Sequence, residues 1–267
     1  MGSRGWMTKV LDSVAIETAY ALGKSEAAIA RELGIGRSTV HRRLVGQGVP
    51  LRDAVEASDL RRKRTVTLTE ETRELIDGLL LGDASVGDHR NSEARLELTQ
   101  RRTCADWVAN VATRLESAGF DTRITDRGVR GLQLRTGKYA TLTIERRRWY
   151  PDGIKAVPRD VRLTPLAISQ WYWGDGCTGN NGYRMTFHTE GFQRAHVEFL
   201  GTRLLDLHGI SSRLEMRRAS PASQTRPLRS ANQYILTVST SQSRRRLTKL
   251  LAPFCFKCFA YKLETKN

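Results

Sequence analysis

Two aspartates stand out by where they fall. Ile76-Asp77-Gly78-Leu79-Leu80-Leu81-Gly82-Asp83 and Ile168-Ser169-Gln170-Trp171-Tyr172-Trp173-Gly174-Asp175 are nearly apolar runs that both finish in Gly-Asp. Such a run predicts a helix buried against a partner, and Gly78 and Gly82, four residues apart, leave that partner room to come close. The carboxylate at the end is out of keeping, because negative charge at a helix C-terminus opposes the macrodipole. Something positive must offset it. Two carboxylates are hard oxygen donors, and a divalent cation is the natural partner for them. The plainer alternative is that both acids merely close their helices.

The elements that must carry these residues come in two similar sets. Thr69 caps a helix through Leu81, with Glu70 and Glu71 in its favourable first turn. Arg95-Leu96-Glu97-Leu98-Thr99, Gly131-Leu132-Gln133-Leu134-Arg135 and Thr141-Leu142-Thr143-Ile144 alternate and read as strands, around an amphipathic helix from Ala105 to Ala118. The order then recurs. Thr164 caps a helix through Trp173, followed by a strand at Tyr183 to Phe187 and a helix at Gln193 to Leu207. Strands near Ser212 to Arg217 and Gln233 to Ser239 come next, and a last helix from Ser241 to Leu251. This is an α+β chain with a duplicated αββαββα unit, the second Gly-Asp following the first by 92 positions (175 minus 83).

A different pattern precedes it. Val10 to Leu22 has helical apolar spacing, Ser25 caps a helix from Glu26 to Leu33, and Gly34-Ile35-Gly36 turns into a basic helix from Arg37 to Leu44. Two short helices, a tight glycine turn and a basic second helix form a helix-turn-helix. Arg37, Ser38, Thr39, Arg42 and Arg43 are its expected DNA-contacting residues. The expected boundaries are 8–50 for this small all-α domain, 51–67 for a basic linker ending in Arg61-Arg62-Lys63-Arg64, and 68–160 and 161–267 for the two halves.

Charge points to the partner. Lys and Arg number 44 against 28 Asp and Glu, a formal net charge of +16. That surplus favours a polyanion, since each phosphate neutralised releases condensed counterions. The basic residues run through predicted strands and loops and are not gathered on one amphipathic helix, which argues against a membrane surface. The chain lacks an apolar run of about 18 residues, the length a membrane span needs. Met1 to Val10 shows no secretion segment, and the four cysteines form no disulfide framework. Cytoplasmic residence in a bacterium or phage host, at the nucleoid, is the expectation. Cys255 and Cys258 read as buried thiols among Phe254, Phe256 and Phe259, not as half of a zinc site.

At the two Gly-Asp helices the chain resembles the LAGLIDADG homing endonucleases of the single-chain, two-motif kind. The resemblance runs from about Leu68 to Leu263. It includes the bridge Trp149-Tyr150-Pro151-Asp152-Gly153-Ile154-Lys155-Ala156-Val157-Pro158, the lead-in Leu163-Thr164-Pro165-Leu166-Ala167 and the ending Tyr261-Lys262-Leu263. It implies pseudo-twofold symmetry, a four-stranded sheet from each half forming a saddle on double-stranded DNA, and the two motif helices packed at the centre. It further implies that Asp83 and Asp175, with Gly82 and Gly174, hold Mg²⁺ for phosphodiester hydrolysis, each acid serving one strand. Mn²⁺ would substitute, and Ca²⁺ would support binding without cleavage. A monomer is expected.

The same resemblance assigns Lys155 and Lys262 beside the cut, and Gln100 and His188 near the metal-bound water. Glu97 competes with Gln100, because a one-residue slip in register exchanges the strand's faces. For DNA contacts, alternate strand positions suggest Arg90, Arg95, Gln133 and Arg135 in the first half. In the second they suggest Asn181, Arg184, Arg213, Arg217 and Gln233, since Arg and Gln read guanine and adenine bidentately. Three features depart from the family pattern: Ala84 in place of a glycine, Gln170 at a position usually small, and the added helix-turn-helix. A transcriptional regulator that binds DNA with this fold without cutting it is the alternative. In such regulators the helix-turn-helix follows the LAGLIDADG part, whereas here it precedes it.

Overall fold

The computed structural model describes residues 13–52, 65–87, 93–179, 182–218 and 232–264. The chain divides into two units, Met1–Arg64 and Thr65–Asn267. In the first, helix α1 (13–21) is followed by α2 (Glu26–Glu32) and α3 (Arg37–Gly46). The Ser25 hydroxyl accepts from the Ala28 amide and starts α2. Gly34, at φ 63°, makes the turn that a side chain would strain. Ile16, Tyr20, Ile29, Ala30, Val40 and Leu44 close a small core of their own.

The second unit is α+β. Its first half runs α4 (Glu70–Leu81), β1 (Ala84–Gly87), β2 (Arg95–Gln100), α5 (Ala105–Ser117), β3 (Thr122–Asp126), β4 (Leu132–Thr136) and α6 (Ala140–Trp149). The second half runs α7 (Pro165–Asp175), β5 (Gly176–Gly179), β6 (Arg184–Phe187), α8 (Arg194–His208), β7 (Arg213–Arg217), β8 (Gln233–Val238) and α9 (Ser241–Leu251). Each half makes one antiparallel four-stranded sheet, with orders β1-β2-β4-β3 and β5-β6-β8-β7. The duplication is thus complete at the level of topology. Among the described residues, no helix is long and apolar enough to cross a membrane.

Period-two alternation sorts the strand residues into two faces. Leu96, Leu98 and Leu134 in one sheet, and Met185, Phe187, Leu236 and Val238 in the other, are buried in one continuous core. Arg95, Glu97, Gln133 and Arg135 stand on the opposite face of the first sheet, with Glu97 paired across the ladder to Arg135.

Thr141 to Ile144 is not a strand. It is the first turn of α6, because Leu142, Glu145 and Trp149 fall at helical spacing and all three are buried. The threonines that suggest a strand have other partners: Thr141 Oγ1 bonds both the amide and the carbonyl of Val66, and Thr143 Oγ1 accepts from the Ala94 amide. The sequence also conceals β1, β3 and β5. Two of these are four residues long, and β3 is an edge strand with little apolar alternation.

The motif helices α4 and α7 pack on each other across the pseudo-twofold. A Cβ on Gly78 would stand 2.3 Å from the Ala167 carbonyl oxygen, so only glycine permits this crossing. Farther along, a Cβ on Gly174 would stand 2.9 Å from the Asp83 amide nitrogen, which brings the two helix ends together. Two buried polar side chains interrupt the apolar motif helices. Asp77, fully buried in α4, accepts from Arg148 Nη1 at 2.5 Å, from the Arg162 amide at 2.9 Å and from Trp149 Nε1 at 3.3 Å. Gln170 in α7 accepts from Trp107 Nε1 at 2.8 Å, which ties α5 of the first half to the second half's motif helix. The polar residue at a usually small position therefore has a buried partner.

Candidate functional site

The helix crossing determines where the two carboxylates lie. Asp83 follows the Gly82 cap of α4, and Asp175 is the last residue of α7. Asp83 is exposed and Asp175 half-buried. Desolvation nonetheless raises the Asp83 carboxyl, against the pull of Gln100, Lys262 and Lys155. Burial and the neighbouring Asp83 push Asp175 up to about 6. The Asp83 charge thus adds to the proton affinity of Asp175, a repulsion that nearby positive charge relieves.

Part of the positive charge needed at the helix ends comes from the chain itself. Lys155 Nζ donates to the Ala84 carbonyl at 3.0 Å and approaches that of Gly82 at 3.4 Å. Lys262 Nζ donates to the carbonyls of Trp173 at 2.8 Å and Tyr172 at 3.1 Å. Lys262 thus caps the last carbonyls of α7, and Lys155 sits just past the end of α4, in both cases where a cation complements the dipole. Burial holds both ammonium groups down at about 8, although Asp83 and Asp175 pull the other way.

The two sides differ beyond this pair. Gln100 Nε2 donates to Asp83 Oδ2 at 2.9 Å. Glu97, its competitor, turns instead to Arg95 and Arg135 on the sheet face. Across the pseudo-twofold the ladder sets His188 opposite Asp175, its amide donating to the Asp175 carbonyl at 2.7 Å. That register makes His188 the counterpart of Thr99, not of Gln100. Its ring hydrogen-bonds to neither acid, with Nε2 3.2 Å from Cys177 Sγ and Nδ1 3.1 Å from Glu190 Oε1, yet its charge still pulls the Asp175 carboxyl down. The bond to Cys177, seconded by Glu190, raises the imidazole to about 9, and the same bond lowers the Cys177 thiol. Cys177 and Glu190 do not stand out in the sequence. Their signal is spacing alone, each lying two residues beyond Asp175 or His188 on an extended chain.

Ala84 does not disturb the first helix exit. It is buried and opens β1, opposite Leu98. Glycine is needed only in the second copy, where a Cβ on Gly176 would stand 2.3 Å from the Tyr172 ring.

With this geometry in view, comparison with known proteins is direct. A sequence profile described as the LAGLIDADG DNA endonuclease family matches residues 73–240, more than half of the chain. The chain belongs to that family. A relative in Methanocaldococcus jannaschii, an uncharacterized protein, is 32% identical over 206 residues, covering 73% of this chain and 78% of its own. The cytochrome b mRNA maturase bI2 of Saccharomyces cerevisiae is 24% identical over 208 residues, covering 71% of this chain and 46% of the maturase. The chain therefore spans about half the length of that relative. Among solved structures, the homing endonuclease I-WcaI bound to its DNA recognition sequence superposes with a TM-score of 0.60 at 15% identity. It covers 83% of this chain and 98% of its own, a likeness of fold.

The remaining residues of this LAGLIDADG protein sort by face. Arg95, Gln133, Arg135, Arg184, Arg213, Arg217 and Gln233 lie on the sheet faces opposite the core. Arg217 Nη1 is 2.6 Å from Glu190 Oε1. Arg90 and Asn181 lie outside the described residues. On α3, Ser38 and Arg42 are exposed and Thr39 and Arg43 half-buried, while Arg37 Nε is 3.0 Å from Glu26 Oε2. The four thiols are free, with Cys104 buried and Cys255 and Cys258 only half-buried. Among the described residues, no cluster of three or more His, Cys, Asp or Glu side chains is disposed to hold a metal ion.

Proposed function

We propose that this protein is a site-specific endonuclease that cuts both strands of a long DNA target with divalent cations. The observation that carries the reading is the meeting of Asp83 and Asp175 at the crossing of two glycine-bearing helices, each helix end backed by a lysine, Lys155 half-buried and Lys262 buried. Two neighbouring carboxylates, Asp83 exposed and Asp175 half-buried, suit a hard divalent ion such as Mg²⁺. Asp83 and Asp175 would hold such an ion, and with so few side-chain ligands backbone carbonyls, water and phosphate oxygens would have to complete its shell. Bound there, it supplies Lewis acidity toward the phosphodiester and a more acidic water.

The chain's own residues do the rest. The glycine crossing holds the carboxylates together at one point, and the lysines lend positive potential where charge develops on the phosphate. Gln100 fixes the orientation of Asp83 through its Oδ2. His188 and Glu190 keep Cys177 and Arg217 engaged beside Asp175. The Arg- and Gln-bearing sheet faces read the target, and α2 and α3 bind flanking DNA as a helix-turn-helix. One chain supplies both carboxylates, so a monomer suffices. Mn²⁺ replaces Mg²⁺, and Ca²⁺ sustains binding without cutting.

Asp83→Asn and Asp175→Asn separate this reading from a regulator that only binds. Both variants should bind selected DNA within about threefold of the parent in Ca²⁺ while double-strand cleavage in Mg²⁺ falls about a thousandfold or more, of the order seen when a catalytic group is removed. Cleavage at parental rates by the double variant would refute the metal assignment.

A further inference from the structure

The outward face of each sheet holds an acid among its arginines. In the first sheet, Glu97 Oε1 lies 2.5 Å from Arg95 Nε and its Oε2 3.4 Å from Arg135 Nε. Oε2 also accepts from Gln133 Nε2 at 3.2 Å, and Gln133 Oε1 accepts from Arg127 Nε at 2.9 Å. In the second, Glu215 Oε2 accepts from Arg184 Nη2 at 2.5 Å, and the same nitrogen reaches Thr237 Oγ1 at 3.1 Å. These acids are only partly exposed, their side chains at 20% for Glu97 and 30% for Glu215.

An acid on that face lowers affinity for any polyanion, so its presence in a chain of net charge +16 calls for a reason. Stability is a poor one, since partly solvated ion pairs contribute little. Specificity is a better one. An arginine without a tether settles on the nearest phosphate, a contact that positions the protein and carries no sequence information. A carboxylate against the guanidinium orients its plane, cancels part of its pull toward the backbone and leaves guanine as the favourable bidentate partner. The carboxylate can itself accept from the cytosine amino group but repels an acceptor. Glu97 also orients Gln133, whose amide spans the acid and Arg127.

We infer that Glu97 and Glu215 are specificity-determining residues, each selecting G·C pairs in one half-site through the arginines it holds. This rests on the reading of the sheets as a DNA interface. The full-length protein, in Ca²⁺, is used to select bound duplexes from a randomised library, with affinity for unselected duplex measured alongside. Glu97→Gln should lose G·C enrichment at positions in one half-site only, Glu215→Gln in the other, and each should bind unselected duplex about tenfold tighter. Glu97→Asp, which keeps the charge but shortens the reach, should lose the enrichment without the full gain in unselected binding. Glu198→Gln, on α8, is the control and should change neither. Melting curves exclude misfolded variants, and Arg95→Gln, which removes the held cation, should lose the same positions as Glu97→Gln. Unchanged enrichment in Glu97→Gln and Glu215→Gln, with a selective parent, overturns the inference alone. A parent that enriches no sequence overturns the DNA-interface reading, and the inference with it.

Discussion

At the scale of single residues, the site balances like charges against desolvated lysines. A carboxyl raised to about 6 in the folded protein binds its proton more tightly than in the unfolded chain, whose carboxyl titrates near the ordinary 3.8. Its ionisation therefore disfavours folding: the metal-free protein loses stability as pH rises from about 4 through 6. Asp175→Asn removes that penalty and should raise stability near pH 7.5 by about 1–2 kcal/mol in a chelator, with a smaller gain in Mg²⁺. A lower melting temperature for the variant in the chelator would contradict this account. The lysines carry the opposite sign, losing their charge as pH climbs through about 8. Cleavage should therefore follow a bell in pH. Its acid limb lies at or below 6, where bound metal has drawn the carboxyl down, and its alkaline limb near 8. Single-turnover rates across pH 5 to 10 test it, and a rate still climbing tenfold per unit above pH 9 would contradict it.

At the scale of elements, the motif helices were the most legible part of the chain, because an apolar run ending in Gly-Asp leaves few ways to fold. Their crossing was legible too: the spacing of Gly78 and Gly82 foretold close approach, and the Ala167 backbone is what approaches Gly78. Gly78→Ala places a methyl where the carbonyl already stands. It should cost about 3 kcal/mol or more, beyond the usual range for overpacking because backbone cannot yield easily. Denaturant midpoints measure the loss, and a change under about 1 kcal/mol would mean that the helices slide apart freely. The short strands after each aspartate were not legible, since four residues hold too little alternation to be seen. The Thr141 to Ile144 segment misled for a definite reason. Its alternation was genuine, but Leu142, Glu145 and Trp149 carry the helical spacing that burial selects. For the site, the residues themselves pointed to the two acids, while the family resemblance suggested the lysines and Gln100, with Glu97 as the competitor of Gln100. The sequence could not show that His188 turns to Cys177 and Glu190, because that depends on ladder register.

At the scale of the whole molecule, the division into Met1–Arg64 and Thr65–Asn267 makes the N-terminal helices separable from the two-half unit. Removing residues 1–64 should leave cleavage of a selected target within about threefold at saturating protein. Affinity should weaken, and the salt dependence of binding should fall by about one unit of slope for every phosphate that the N-terminal unit neutralises. Footprints of the full and shortened chains that coincide would show that the N-terminal unit does not flank the cut in this way.

The glycine crossing also bears on which halves can pair. With the two copies aligned on their Gly-Asp ends, the position matching Gly78 in the second copy is Gln170, and Gly78 is where a single carbon already collides with Ala167. Pairing two second halves in the same geometry would set the Gln170 side chain against the Ala167 backbone, where the first half offers glycine. A chimera built from two second halves, with glutamine where that glycine stands, should therefore fail to assemble, which its elution volume on gel filtration checks.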